Sequence, residues 1–483
     1  MITASAFAGK HYAVYGLARS GIATVQALLA SGARVTAWDA KEEARSSLRA
    51  QLVGRGTSVA GGGVEDAGAS YPSTIPSPGN GSPPHAAHGE ELTIANLDEI
   101  DLTQFDSLVV TPGLPLNRHP IAKRAHDEGI EIIGDIELFA RARPDLSPHK
   151  VVGITGTNGK STTTALVHHI LRTAGVPTTM GGNIGLPILA QDPLPEGGVY
   201  VLELSSFQID LTQSLDCDVA VLLNITPDHL DRYDSFEAYT ASKMRLFEMQ
   251  SRASIAVVGT DEPNACKIFR TFFDAGRNVH PANSNVVRDP QLLWDDRDTS
   301  KWFSLQRDWP ALQGPHNGEN ASASVWVAEL LGIAPATIAL ALETYPGLPH
   351  RTERIREKGG VVFVNDSKAT NPTATAPALA AFERIRWICG GQAKTDNLDE
   401  CAPHFKHVRK AYTIGEAGEL FASLLSPHMD VSQCQTLERA VGEASAEAVS
   451  GDTVLLSPAC ASFDQFRDFE DRGDQFRALV EGL

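Results

Sequence analysis

Several things are scarce in this sequence, and each scarcity narrows what it can be. Its 483 residues hold six cysteines, Cys217, Cys266, Cys389, Cys401, Cys434 and Cys460, none in a C-x-x-C pair and none clustered. That excludes a disulfide framework and a zinc site as organising devices. No window of about 18 uninterrupted apolar residues occurs, and the opening stretch MITASAFAGKHYAVYG has no basic run ahead of a long apolar one. Positive charge is also in deficit. The 41 Lys and Arg face 59 Asp and Glu, a formal net charge of −18, which argues against a nucleic-acid surface or an anionic-membrane partner. An anionic ligand needs local positive charge set into this acidic background. The expectation is a cytoplasmic enzyme with reduced thiols, working as a monomer on small molecules.

What is present fits a globular chain of more than one core. The composition is 42% hydrophobic and 21% charged, and the length exceeds what one hydrophobic core supports. Tyr12 to Tyr15 reads as a strand, followed by the turn Gly16-Leu-Ala-Arg-Ser-Gly21, a helix from Ile22 to Ala30, and a strand Arg34 to Trp38 ending at Asp39. That is a βαβ start with an acidic residue about where nucleotide folds place a ribose contact. Near-continuous apolar strands at 151–155, 199–204 and 219–225, with a helix at 161–174, predict a second parallel sheet covered on both faces. A third α/β block begins after GLPHRTER, with strands at 361–364, 387–389 and 454–457. Residues 61–92, rich in Gly, Pro and Ser, read as a flexible surface insertion with no part in the core. The expected fold is α/β in three domains: a Rossmann-like domain over 1–134, a central P-loop parallel-sheet domain over 135–347, and a Rossmann-like C-terminal domain over 348–483.

The chemistry concentrates in GITGTNGKSTT, residues 153–163. A usual P-loop, G-x-x-x-x-G-K-[ST], wants a glycine six residues before the lysine. Here that position is Ile154, and the glycines are Gly153, Gly156 and Gly159. A buried strand, a glycine turn and a helix starting at Lys160-Ser161 still aim backbone N–H groups and the positive helix end at a phosphate. Lys160 adds a mobile charge, and Ser161 or Thr162 a hydroxyl for Mg²⁺. Other residues are ambiguous on their own. Glu203, ending the strand VYVLE, reads equally as a Mg²⁺ ligand or an exposed strand-end carboxylate. His229, in the turn P-D-H-L-D-R, suits a metal or a reacting carboxylate, yet a lone histidine is more often structural. Lys243, in FEAYTASKMRLFE, reads as a solvated helix lysine, Arg351 as a phosphate fork or a hinge ion pair, and Phe463 as core. Asp366 and Lys368 stand just past a strand's carboxyl end, where α/β sheets bind ligands.

Taken together the motifs resemble the Mur ligases, ATP-dependent amino-acid ligases of peptidoglycan synthesis. Their nucleotide loop is the short G-x-x-G-K-[ST], here Gly156-Thr157-Asn158-Gly159-Lys160-Ser161. The match continues through GGNIGLP (181–187), ELSSFQ (203–208), NITPDHLDRY (224–233), GLPHR (347–351), NDSKATN (365–371), GGQAKTDNL (390–398) and SPACASFDQF (457–466), and spans nearly the whole chain. The last three resemble the branch that adds D-glutamate.

The resemblance implies ATP on Gly156, Thr157, Asn158, Gly159, Lys160, Ser161, Thr162, Asn317, Asn320, Arg351, Asp366 and Lys368. It implies Mg²⁺ at Ser161, Glu203, His229 and a carbamylated Lys243, and catalytic roles for Lys160, His229, Lys243 and Arg351. It assigns UDP-N-acetylmuramoyl-L-alanine to Gly16, Ala18, Arg19, Ser20, Asp39, Thr111, Gly113 and Asn183, and D-glutamate to Thr370, Lys394, Ser457 and Phe463. Ala18 departs from the family's usual glycine, as the 61–92 insertion departs from its compact pattern. Other readings remain: a ligase of the same superfamily such as a folylpolyglutamate synthase, a P-loop ATPase or GTPase switch (though N-K-x-D is missing), or a dehydrogenase built on the first domain.

Overall fold

The computed structural model describes residues 1–53, 59–61, 92–229, 231–283 and 308–483. Compactness divides the chain into two units. The first comprises Met1–Asn158, Val176–Ala256 and Arg270–Val279, and the second Gly159–Gly175, Val257–Phe269 and His280–Leu483.

The first unit opens with β1 (His11–Tyr15), β2 (Arg34–Trp38), β3 (Val59–Gly61), β4 (Leu92–Ile94), β5 (Ser107–Val110) and β6 (Ile132–Ile133), in the spatial order β3-β4-β2-β1-β5-β6. All neighbours are parallel. The helix Arg19–Ala30 starts three residues earlier than expected. Its tight entry explains the glycines: a Cβ at Gly21 would collide with the carbonyl oxygen of Gly16, and one at Gly16 with Thr111 Oγ1. The ends of the 61–92 segment correct its sequence reading. Gly61 and Leu92 lie in paired strands, and the Leu92 side chain is fully buried, so this part does belong to the core. Residues 62–91 lie outside the described set.

Four further strands of this unit, β7 (His149–Thr155), β8 (Thr178–Gly182), β9 (Gly198–Glu203) and β10 (Val219–Leu222), lie side by side as β8-β9-β7-β10, all parallel. Six consecutive residues of β9 are buried, as expected for a parallel strand covered on both faces. The expected strand 219–225 ends at Leu222, because Asn224 turns away to bind the glycine loop. Next come β11 (Ile255–Gly259) and β12 (Val279–Ala282).

The second unit carries β13 (Glu353–Lys358), β14 (Val361–Asn365), β15 (Ile385–Gly390), β16 (Val408–Ile414), β17 (Asp430–Gln435) and β18 (Thr453–Leu456), ordered β13-β14-β18-β15-β16-β17. The edge strand β13 is antiparallel and the rest are parallel. Period-two alternation gives each face its own core. Trp387, Cys389 and Leu455 join Leu379, Phe421 and Leu425 of helices Pro372–Ala381 and Gly418–Leu425. Phe363, Ile388, Tyr412 and Leu456 join Val441, Phe476 and Val480 of helices Leu437–Glu447 and Phe469–Glu481. The result is a helix–sheet–helix sandwich. Among the described residues no helix is long and apolar enough to cross a membrane, and all six cysteines are free thiols.

Candidate active site

The glycine loop has the geometry its residues suggest. Gly159 takes φ 83° immediately before the helix Lys160–Thr173, a left-handed conformation that favours glycine. Gly156 also has positive φ, and a Cβ there would press on Leu223 and the Asn224 amide. Asn224 holds the loop from the end of β10. Its carbonyl accepts from Thr157 N at 2.9 Å and its Oδ1 from Asn158 N at 2.8 Å. Thr157 Oγ1 donates to the Thr226 carbonyl at 3.1 Å. The role of Asn224 escaped the sequence reading, although it heads the quoted NITPDH stretch.

Beyond the loop, the second unit gathers most nucleotide candidates around one cleft. Its lining includes Gly159, Thr162, Asn317, Asn320, Arg351, Asp366 and Lys368. Arg351 Nη2 donates to Ser161 Oγ at 3.0 Å. Asn320 Nδ2 donates to Asn317 Oδ1 at 3.1 Å, and Thr163 Oγ1 donates to Asn320 Oδ1 at 3.2 Å, fixing both amides at the cleft wall. Lys160 opens the helix, half-buried. Lys368 Nζ lies 3.7 Å over the Phe469 ring. Asp366 is buried: its Oδ2 accepts from Ser457 Oγ at 2.7 Å and its Oδ1 from Thr352 N at 3.0 Å. Burial raises its pKa to about 7, against the opposing pull of those hydrogen bonds and of Arg351. His316 also lines this cleft; burial lowers its pKa to about 4, leaving a neutral imidazole. It stands beside Asn317 in the sequence, and polarity alone did not distinguish it.

The D-glutamate candidates are in the same unit. Lys394 Nζ and Thr370 Oγ1 are 3.5 Å apart. Phe463 is 69% exposed, which overturns the core reading and leaves its ring available to a ligand. Ser457 is fully buried with its hydroxyl committed to Asp366. It therefore supports the Asp366 carboxyl, and its geometry does not favour direct contact with a substrate.

Three metal candidates lie in the first unit. Glu203 is 2% exposed, which removes the exposed strand-end reading. Its Oε1 accepts from Asn183 Nδ2 at 2.9 Å, while its buried Oε2 has no hydrogen-bond partner. A buried carboxylate oxygen left unpaired is costly unless a cation completes it. Lys243 is 1% exposed and is no solvated helix lysine: its Nζ donates to the Gly156 carbonyl at 2.9 Å and lies 4.7 Å over the Tyr239 ring. Tyr239, Lys243, Leu246 and Phe247 share the buried helix face. His229 has φ 54° and packs its ring 4.9 Å from Phe207. Among the described residues no three His, Cys, Asp or Glu side chains gather as a ready metal cage. A carbamate on Lys243 would add carboxylate-like oxygens, the ligand type a hard divalent cation takes.

The UDP-substrate candidates stand at the carboxyl ends of β1, β2 and β5. Asp39 accepts from Leu17 N at 2.7 Å and Lys41 N at 2.9 Å, so it shapes the Gly16 turn. Ala18 is the N-cap, and Arg19 begins the helix, both exposed. Ser20 and Thr111 line a small cleft with Asp135, and Gly113 is exposed beside it. Asn183 is held by Glu203 in the other sheet of this unit.

Known proteins resemble this chain over most of its length. Residues 154–328 match the Mur ligase middle domain, and residues 350–460 match the Mur ligase glutamate ligase domain. The chain is 54% identical to the UDP-N-acetylmuramoylalanine–D-glutamate ligase of Novosphingobium aromaticivorans, covering all of this chain and 97% of that protein. It is 51% identical to the protein of the same name from Sphingopyxis alaskensis, with both chains fully covered. Among solved structures, the fold resembles MurF ligase of Thermotoga maritima in complex with ADP (TM-score 0.54, 19% identity, 75% of this chain and 92% of that one). It also resembles UDP-N-acetylmuramate–alanine ligase of the same organism (TM-score 0.53, 15% identity, 98% and 99%). The chain belongs to the Mur ligase family.

Proposed function

We propose that this chain is an ATP-dependent ligase that joins D-glutamate to UDP-N-acetylmuramoyl-L-alanine in peptidoglycan precursor synthesis. One observation carries the reading: the helix start after the glycine loop, Asn317, Asn320, Arg351, Asp366 and Lys368 border a single cleft. The amino acid and acceptor are supported by full-length similarity to ligases of that name. The three-domain division at 134/135 and 347/348 belongs to the same proposal. It is supported by the family match that starts at residue 350 and by a third sheet that opens at Glu353.

In this reading the acceptor carboxylate attacks the γ-phosphate to give an acyl phosphate and ADP; the D-glutamate amine then attacks the activated carbonyl and phosphate leaves. Two anions must approach, so positive charge has to be waiting for them. The loop amides and helix end hold the phosphates, Lys160 meets the β/γ region, and Arg351 offers its fork to the transferred group. Asn317 and Asn320 face the adenine, Asp366 the ribose, and Lys368 the phosphates. Glu203, His229 and a carbamylated Lys243 of the first unit would hold Mg²⁺, which when bound neutralises phosphate charge. Gly16, Ala18, Arg19, Ser20, Asp39, Thr111, Gly113 and Asn183 receive the UDP acceptor. Thr370, Lys394 and Phe463 receive D-glutamate, with a cation and a hydroxyl for its carboxylates and a ring for its methylenes.

Phosphate release from ATP, measured with each amino acid and with or without the UDP acceptor, tests this reading. Release that requires both the acceptor and D-glutamate is expected, and Lys160→Ala should abolish it without loss of fold. Release independent of both would replace the ligase with an ATPase.

A further inference from the structure

One contact set in the first unit is used by none of the roles above. The turn carrying His229 is tied to the loop that follows β5, the loop bearing the acceptor candidates Thr111 and Gly113. Arg232 Nη2 donates to the Leu114 carbonyl at 2.9 Å. From the other side, Asn117 Nδ2 donates to the Asp231 carbonyl at 3.1 Å, and Arg118 Nη2 to the same oxygen at 2.6 Å. Three donors thus cross between two turns that are more than a hundred residues apart in sequence.

Arg232 does more than bridge. Its guanidinium lies 4.2 Å over the Phe207 ring, and that ring packs against the His229 imidazole at 4.9 Å and stacks with Tyr233 at 5.9 Å, 14° from parallel. Phe207 itself is fixed, because Ser205 and Gln208 form a capping box on the short helix that carries it. The His229 backbone sits at φ 54°, a conformation that persists only where its surroundings enforce it. Its amide donates to Asp228 Oδ1 at 2.8 Å, and its carbonyl accepts from Arg232 N at 2.9 Å. Arg232 therefore touches the His229 turn through its backbone, the His229 ring through Phe207, and the acceptor loop through Leu114.

We propose that Arg232 is a positioning residue for the ligation, and that Asn117, Arg118 and Arg232 form a latch coupling the acceptor loop to the His229 turn. Acceptor binding that orders the loop steadies His229, and by linkage a well-placed His229 turn tightens the loop on the acceptor. The planar guanidinium matters as well as its charge, since one face covers Phe207 while one edge reaches the carbonyl. The inference rests on the proposed role of His229.

The test uses the full chain and compares Arg232→Ala, Arg232→Lys and Arg118→Ala by steady-state kinetics and amide hydrogen exchange. Arg232→Ala should lower kcat about tenfold, raise the KM for the UDP acceptor severalfold, and leave the KM for ATP unchanged. Amides of residues 112–119 should exchange faster. Arg232→Lys should recover part of both effects, because it can reach Leu114 but cannot lie flat on Phe207. Equal movement of all three KM values, or unaltered exchange in 112–119, would overturn the latch. If Arg232→Ala does not fold, the exposed Arg118→Ala decides: faster loop exchange with a raised acceptor KM supports the proposal, and no change in either refutes it. His229→Ala with undiminished turnover would instead remove the proposed role of His229, leaving the loop-exchange result to judge the latch alone.

Discussion

Arg351 and Ser161 are joined by a 3.0 Å hydrogen bond, so the first residues of the third segment touch the hydroxyl that follows the loop lysine. Arg351 is flanked by His350 at φ 62° and Thr352 at φ 42°. Two non-glycine residues in the left-handed region on either side of one arginine mark stored backbone strain there. The hydrogen bond holds the guanidinium against the helix start where a phosphate would bind.

Arg351→Ala should therefore lower kcat by roughly two orders of magnitude, about 3 kcal/mol of transition-state stabilisation. Arg351→Lys should recover little, since the fork geometry is lost. Thermal unfolding of both variants should stay within a few degrees of the parent. Kinetics unchanged in Arg351→Ala would remove the residue from phosphoryl transfer.

Lys243 carries a second expectation. Buried and bonded to the Gly156 carbonyl, it is placed to bear a carbamate close to the loop. Lys243→Ala should lose most activity and regain part of it when short carboxylic acids are added, because the cavity then accepts an exogenous carboxylate. Normal turnover of Lys243→Ala without additives would rule out the carbamate.

Asp366 predicts a pH dependence of stability. Its pKa rises from 3.8 to about 7 in the fold, chiefly through burial. Between those values the folded chain binds a proton that the unfolded chain has released, so this contribution is complete below pH 3.8 and is lost as pH rises through 7. Three units correspond to about 4 kcal/mol. Asp135, raised to about 6 by burial, acts in the same direction. Denaturant midpoints should fall from pH 5.5 to 8.5, and Asp366→Asn should flatten that slope. An equally steep slope in the variant would contradict the assignment.

Gly21 offers a backbone test. Its missing Cβ lets the helix start close on the Gly16 carbonyl, and both are backbone positions that cannot yield cheaply. Gly21→Ala should cost about 3 kcal/mol or more and raise the KM for the UDP acceptor. A fully stable variant with unchanged acceptor KM would show that the turn does not need to be so tight.

The sheets and the loop were legible because both depend on local pattern. Apolar runs at 151–155 and 199–204 mark strands wherever they sit, and Gly156 and Gly159 mark positive φ wherever a helix must begin so abruptly. Burial of single polar residues depends on partners far away in sequence, and here the local reading failed. Lys243 looked solvated, although Tyr239, Leu246 and Phe247 at helical spacing already put it on the apolar face. Ser457 took its ligand role from the resemblance alone, and its hydrogen bond to Asp366, 91 residues away, has no local signal. Arg232 and Asn224 had no distinguishing local context, since their acceptors and donors come from other turns.

The antiparallel strand at the rim of the third sheet has a consequence for solubility. Its sequence, ERIREK, places five charged side chains on the edge strand of the sheet. Such a fringe repels a neighbouring chain that would otherwise extend the ladder. Replacing Arg354 and Arg356 with valine would turn this border into a template for fibrous self-association.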